Sequence, residues 1–276
     1  MHAVVRTATA VVVLTGALTS AVDAQSAAEI VGRMLSEYER RSAAVENFSV
    51  IQDVMGLETV SYFEKEIVNG RPVFRLRHSI AGGMEIDSSN QGGLDAIYAM
   101  GDELARRARY EGRTEIGGYD VHVLEISDLT GMGFGQSVTP DSEFAPTLGR
   151  IFLDVDTYAP RRLEFQGEIT NEQGVHEVNT TLDMGDYREV EGMLVAYRTV
   201  FTMEGLGAVI DPETRARFEQ MQRELEDMPA EQRRMLESMM AGQLDQFRAM
   251  MSDDDAPMTV ELIVREVVVN AGPPRY

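Results

Sequence analysis

The chain has 276 residues, with 46 acidic against 25 basic side chains, a formal charge of −21 and an isoelectric point near 4.5. A surface this acidic is repelled by phosphate backbones and by anionic lipid headgroups, which argues against a nucleic-acid partner and against electrostatic docking on a membrane. There is no cysteine, so neither a disulfide framework nor thiolate chemistry is available, while 43% hydrophobic residues are enough for a sizeable core.

The first 24 residues have the layout of a secretory signal peptide. His2 and Arg6 lead into an apolar run from Ala8 to Leu18, which ends in the small-x-small pattern Val22-Asp23-Ala24. That run is too short to span a bilayer, which needs roughly 20 apolar residues. The expectation is therefore cleavage after Ala24, a periplasmic mature chain starting near Gln25, and no integral membrane segment in it. No cysteine follows the cut, so no lipid anchor is expected.

A helix is predicted to open at Ser26, where Ser26-x-x-Glu29 has the spacing of a capping box. Ala27, Ile30, Val31, Met34, Leu35 and Tyr38 then recur on one helical face, with Glu39, Arg40 and Arg41 elsewhere on the surface. From Phe48 the period changes to two. Val60 and Tyr62 share one strand face and Phe74 and Leu76 another, with Asn69-Gly70 as a hairpin turn between the runs. Gly82-Gly83 marks a second break. Residues Leu94 to Tyr110 read as one or two short helices interrupted at Gly101. Gly117-Gly118 is expected to bend or bulge a strand that continues through Tyr119 to Ile126. The Gly-, Ser- and Thr-rich stretch Thr130 to Pro146 reads as a mobile loop.

The second half alternates more cleanly. Ile151, Leu153 and Val155 form one set, and Leu163 and Phe165 another. Val178, Thr180 and Leu182 follow a turn at Asn171 to Gly174. Met193, Val195, Tyr197, Phe201 and Met203 follow in turn, broken by Thr199. Connections this short require antiparallel pairing. Met258 to Val269 reads as a closing strand. Between the last two strands Asp211-Pro212 starts a helix, with Phe218, Met221, Leu225 and Met228 along one stripe. Pro229 ends it, and Leu236, Met240, Leu244, Phe247 and Met251 stripe a second helix, widened by Met235, Met239 and Met250. Asp253-Asp254-Asp255 closes this αα-hairpin.

Tyr110-Glu111-Gly112 before Ile116-Gly117-Gly118-Tyr119, Arg150 to Asp156 before Tyr158 to Leu163, and Asp186 to Val190 before Gly192 are further marks of pattern. With the order signal peptide, amphipathic helix and long antiparallel meander, they resemble the LolA/LolB-like superfamily of outer-membrane lipoprotein-sorting proteins over Ala27 to Asn270, apart from the hairpin. The resemblance implies an α+β fold: a curved, half-open antiparallel β-barrel with an N-terminal amphipathic helix and a helical plug on its concave face, to which the apolar stripes add the inserted Met-rich hairpin. Its boundaries are a signal peptide over 1–24, the LolA-like domain over 25–270 with the hairpin over 211–252, and a loose tail over 271–276. It also implies a cavity for the acyl chains of lipids or lipoproteins.

No residue set demands chemistry. His78, His122 and His176 lie in separate strand-like segments without ligand spacing, and no nucleophile elbow is present. Asp154 and Asp156 could pair as acids but are expected to be solvated and to shape a turn. Asp253 to Asp255 lacks the spacing of a calcium loop. The 17 methionines offer soft ligands for Cu(I), against which stands their fit to amphipathic stripes and to adaptable surfaces. The expectation is a binding protein that is not an enzyme and has no cofactor, catalytic residue or metal site. Its apolar ligand or lid residues are Phe218, Met221, Leu225, Met228, Leu236, Met240, Leu244 and Phe247. A sensor or adaptor that binds an envelope protein through the hairpin is the alternative, and an unrecognised hydrolase a weaker one.

Overall fold

Ser26 starts the first helix as a reciprocal cap. The Glu29 amide donates to Ser26 Oγ at 3.2 Å, and the Ser26 amide donates to Glu29 Oε2 at 2.8 Å. The structure, a computed structural model, describes residues 25–68, 70–86, 96–129, 132, 143–171, 174–210, 212–229 and 256–274. The expected signal peptide, the second helix of the expected hairpin and the run Asp253 to Asp255 lie outside the described residues, as does most of the expected loop over 130–146.

Helix α1 (Ala27–Ser42) buries Ala27, Ile30, Val31, Met34 and Leu35, the stripe its periodicity announces. Four strands follow: β1 (Asn47–Val54), β2 (Leu57–Val68), β3 (Arg71–Ala81) and β4 (Met84–Ile86). Two short helices, α2 (Ala96–Ala99) and α3 (Gly101–Arg107), precede β5 (Arg109–Ile116), β6 (Tyr119–Ile126), β7 (Glu143–Asp154), β8 (Pro160–Asn171), β9 (Gly174–Val190) and β10 (Met193–Glu204). Helix α4 (Pro212–Asp227) is inserted before the last strand, β11 (Met258–Val269).

All eleven strands form one open antiparallel sheet in the order β4-β3-β2-β1-β11-β10-β9-β8-β7-β6-β5. β11 is thus not an edge. It joins the first strand to the tenth, with Val50 opposite Val267 and Phe201 opposite Val260. The two edges are β4 and β5, and the chain passes between them through α2 and α3. At the end of β11, Asn270 accepts from the Glu46 amide through Oδ1 at 2.7 Å and donates from Nδ2 to the Ala44 carbonyl at 3.0 Å. The Gly272 amide donates to Asn47 Oδ1 at 2.9 Å, so the segment expected to be a loose tail begins tied to β1.

Three local expectations change. Arg109 and Tyr110 are strand, not helix, because they pair with Glu125 and Leu124 of β6. Gly117 and Gly118 do not bulge a continuing strand. With φ of 58° and 84° they make a two-residue hairpin turn, a left-handed backbone that glycine adopts at no steric cost. Glu143 to Pro146, assigned to a loop, opens β7 and pairs with Thr170 to Gly167 of β8.

The main core packs α1 onto the sheet. Ile30, Val31, Met34 and Leu35 meet Leu104 of α3, Leu124 and Ile126 of β6, Ile151 and Leu153 of β7, Leu163 of β8 and Met184 of β9. Gly101 permits the close approach of α3, since a Cβ there would lie 2.5 Å from Leu35 Cδ1. A second cluster joins Val45, Phe48 and Val50 to Phe74 of β3 and Met193 of β10. No helix among the described residues is long and apolar enough to cross a membrane.

Candidate functional site: an apolar cavity between helix α1 and the sheet

Between the C-terminal half of α1 and the sheet lies a cavity of about 490 Å³, within the roughly 300–1,000 Å³ of ligand pockets. Its walls come from Met34 and Tyr38 of α1, Phe48 and Val50 of β1, Phe63 and Phe74 of β2 and β3, Leu182 and Met184 of β9, Thr199 and Phe201 of β10, and Val260, Leu262 and Val264 of β11. Strand alternation explains the choice. Leu262 lies opposite Thr199, Val260 opposite Phe201, and Thr199 opposite Met184, and directly opposed residues share a face. On β2 the cavity wall carries Ser61 and Phe63, whereas Tyr62, which alternation places on one face with Val60, is buried away from it.

Aromatic rings stiffen the wall. Tyr38 stacks on Tyr98 with centroids 3.8 Å apart. Phe48 stacks on Phe63 at 4.8 Å and meets Phe74 edge-on at 5.0 Å. The polar groups are few, chiefly tyrosine hydroxyls, Gln52, Thr199, and Ser61, whose hydroxyl lies 3.3 Å from that of Ser79.

Arg41 is the one charged residue on this wall among the described residues. The sequence placed it on the open surface, but its side chain is 18% exposed. It pairs with Glu37 at 3.1 Å and donates from Nη1 to the Thr157 carbonyl at 2.9 Å. The three-methylene stem of arginine lies on apolar surface while its head finds these acceptors. The hydrogen bond from Arg40 holds the Glu37 carboxyl below its usual range, with both arginines adding attraction.

The turn that receives Arg41 is built on Asp154. Asp154 Oδ1 accepts from the amides of Asp156 (3.1 Å) and Thr157 (2.9 Å), and Oδ2 accepts from Arg161 Nε and Nη2 (3.0 and 2.8 Å). Asp154 therefore shapes the turn, as expected, but it is buried and paired, not solvated and not an acid partner of Asp156. Burial pushes its carboxyl up, yet the hydrogen bonds from Thr157 and Arg161 outweigh this and leave it below the ordinary range. Arg161 in turn stacks on the Tyr119 ring at 3.7 Å and the Tyr187 ring at 4.9 Å. Tyr187 borders the cavity and donates to the Pro160 carbonyl, and burial raises its phenol strongly.

The same turn presents Tyr158 to the cavity. Arg33 of α1 donates to Tyr158 Oη at 2.9 Å, and the Tyr158 ring stacks on His122 at 5.7 Å. Helix α1 is thus fastened to the 154–161 segment twice, by Arg33 and by Arg41. His122 is fully buried on β6, with Nδ1 3.1 Å from the Tyr110 hydroxyl; burial lowers its basicity, helped by Arg113 and Arg33. His78 lies on β3 beside Glu85 and His176 on β9. Among the described residues no three His, Asp or Glu side chains converge on a metal-sized site.

The expected ligand residues are placed as follows. Phe218, Met221, Leu225 and Met228 belong to α4 and its end, and none of them borders this cavity. Phe218 is buried, Met221 is 37% exposed, and Leu225 and Met228 are half-buried. Leu236, Met240, Leu244 and Phe247 lie outside the described residues. The wall instead uses α1, β1 to β3 and β8 to β11. Part of it was legible, since Met34 and Tyr38 complete the α1 stripe and Thr199 is the one polar break in the alternation of β10.

No family model and no curated protein matches the sequence. Solved structures do match. A candidate outer membrane lipoprotein-sorting protein domain from Vibrio parahaemolyticus aligns with 88% of this chain and 95% of its own, at 12% identity and a TM-score of 0.38. A DUF1329 family protein from Desulfovibrio piger aligns with 90% of this chain and 93% of its own, at 8% identity and a TM-score of 0.42. The Mycobacterium tuberculosis lipoprotein LppX aligns with 53% of this chain and 90% of its own, at 9% identity and a TM-score of 0.23. The chain is similar to each of these.

Proposed function

We propose that the protein is a non-enzymatic periplasmic binding or carrier protein that holds the acyl chain of a lipid or lipoprotein in the cavity under α1. The observation that carries this reading is the wall itself. In a chain where 26% of residues are charged, a 490 Å³ space is bordered mostly by aliphatic and aromatic side chains, with Arg41 as the one charge among the described residues. Such a space selects for apolar matter and offers little to a reaction. Each methylene taken from water contributes about 0.8 kcal/mol, so a chain of about fourteen carbons supplies on the order of 10 kcal/mol gross. Association costs of about 4–15 kcal/mol offset much of this, which suits reversible loading.

The sheet order supports a curved half-barrel. Six strand spacings of about 4.8 Å separate β3 from β8, so a flat sheet would hold them about 29 Å apart. Phe74 of β3 and Pro160 of β8 nevertheless border the same cavity, and sheets of many strands twist and coil.

We further propose that the insertion after β10 acts as an adaptable cover, with Phe218, Met221, Leu225, Met228, Leu236, Met240, Leu244 and Phe247 as its apolar side chains. In support, it is rooted at the paired residues Met203 and Met258, two positions from Phe201 and Val260 of the cavity wall. The exposed Met221 equally favours a second reading, in which the insertion receives an envelope protein. Native mass spectrometry of the protein taken from its own periplasm, followed by titration with a fluorescent fatty acid, tests the carrier reading. Co-purified lipid or saturable probe binding is expected. An empty protein that ignores the probe refutes it.

A further inference from the structure

A second, polar cleft of about 320 Å³ lies between the end of α1 and the β9–β10 turn. Arg41 and Leu194 border both spaces. Arg40, Glu189 and Glu191 border the cleft alone. To the cation on the shared wall, Arg41, the cleft thus adds a second cation and two carboxylates that do not border the apolar space. Arg40 and Arg41 both share Glu37 behind them, but each guanidinium has five N–H donors, and those contacts use only part of them. Among the described residues neither Glu189 nor Glu191 has a cation within 4 Å, although Glu189 lies near enough to favour the charged form of Arg40.

Building on the carrier reading above, we infer that the occupant is a phospholipid with a zwitterionic amine head. Its acyl chain lies in the cavity, its phosphate against Arg41 and Arg40, and its ammonium against Glu189 and Glu191. The charges on the two walls decide this. In such a lipid the phosphate is joined to the acyl-bearing glycerol and the ammonium lies farther out, which suits a cation on the wall shared with the apolar space and carboxylates on the cleft wall alone. The two cations and two carboxylates of the cleft sum to zero, and Glu37 adds one negative charge. A head with a net negative charge gains less here and is also opposed by the −21 of the whole chain. A free fatty acid would use Arg41 and leave both outer carboxylates unanswered.

The test compares three soluble probes with one acyl chain: lyso-phosphatidylethanolamine, lyso-phosphatidylglycerol and myristate. Each is titrated into the mature protein by displacement of a fluorescent fatty acid. The ethanolamine lipid is expected to bind several-fold to about tenfold tighter than the glycerol lipid, the range that two rim ion pairs supply. The double variant Glu189→Gln/Glu191→Gln, at two exposed positions, one at the end of β9 and one in the turn after it, is expected to remove that preference while myristate binds as before. Equal affinity for all three probes, or a preference that survives the double variant, overturns the head-group inference and leaves the carrier reading standing. Failure of all three to bind overturns the carrier reading itself.

Discussion

Filling the cavity from its own wall separates a ligand site from an ordinary core. Val264 lies on β11 opposite Gln52 and borders the cavity. Val264→Phe adds about four carbons of apolar bulk, worth on the order of 3 kcal/mol at about 0.8 kcal/mol per buried carbon. If the ring enters open space, folding stability stays the same or rises by up to that amount. If the site is close-packed, the same insertion costs about 1–3 kcal/mol. The ring also takes the room of about four ligand methylenes, so an acyl probe should bind on the order of 100-fold more weakly. Urea unfolding and fluorescent fatty-acid titration measure the two quantities. Retained or raised stability together with the loss of affinity is expected. A drop of 1–3 kcal/mol with unchanged probe affinity would refute the assignment of this space as the binding site.

Two further perturbations examine how α1 is held over the cavity. Asp154 has a folded-state carboxyl below the ordinary value of 3.8, so its stabilisation is present above that value and is lost as pH falls through the depressed one. Asp154→Asn should lower stability at neutral pH by about 3–5 kcal/mol, nearer the lower figure because Arg161 keeps its two tyrosine rings. It should also flatten the acid limb below pH 4, and urea midpoints that keep the wild-type acid slope would count against the pairing. Gly101→Ala places a Cβ against Leu35 and is expected to cost about 1–3 kcal/mol. A variant as stable as the parent would mean that α3 does not abut α1 this closely.

Helix α1 and most strands could be read locally because the signal is local. The capping box at Ser26 needs only Glu29 three residues on, and its stripe needs only a 3.6-residue period. The alternation of β7 to β11 works the same way. Arg109 and Tyr110 were assigned to a helix because their strand character comes from pairing with β6, not from their own alternation. Arg41 and Asp154 read as solvent-facing because charge is normally exposed. Their burial depends on partners far along the chain or across a turn: Thr157 for Arg41, Arg161 for Asp154.

By itself the sequence determined the strongly acidic balance, the absence of thiol chemistry, the caps, the turns and the periods of helix and strand, because each depends on composition or on residues a few positions apart. Only the tertiary structure decided that β11 lies between β1 and β10, that α1 is fastened to the 154–161 turn, and that Met34, Val50, Met184 and Val264 border one space. Those positions are scattered from the first helix to the last strand. A cavity exists only where surfaces fail to touch, and that is a property of how the elements pack, not of any one of them.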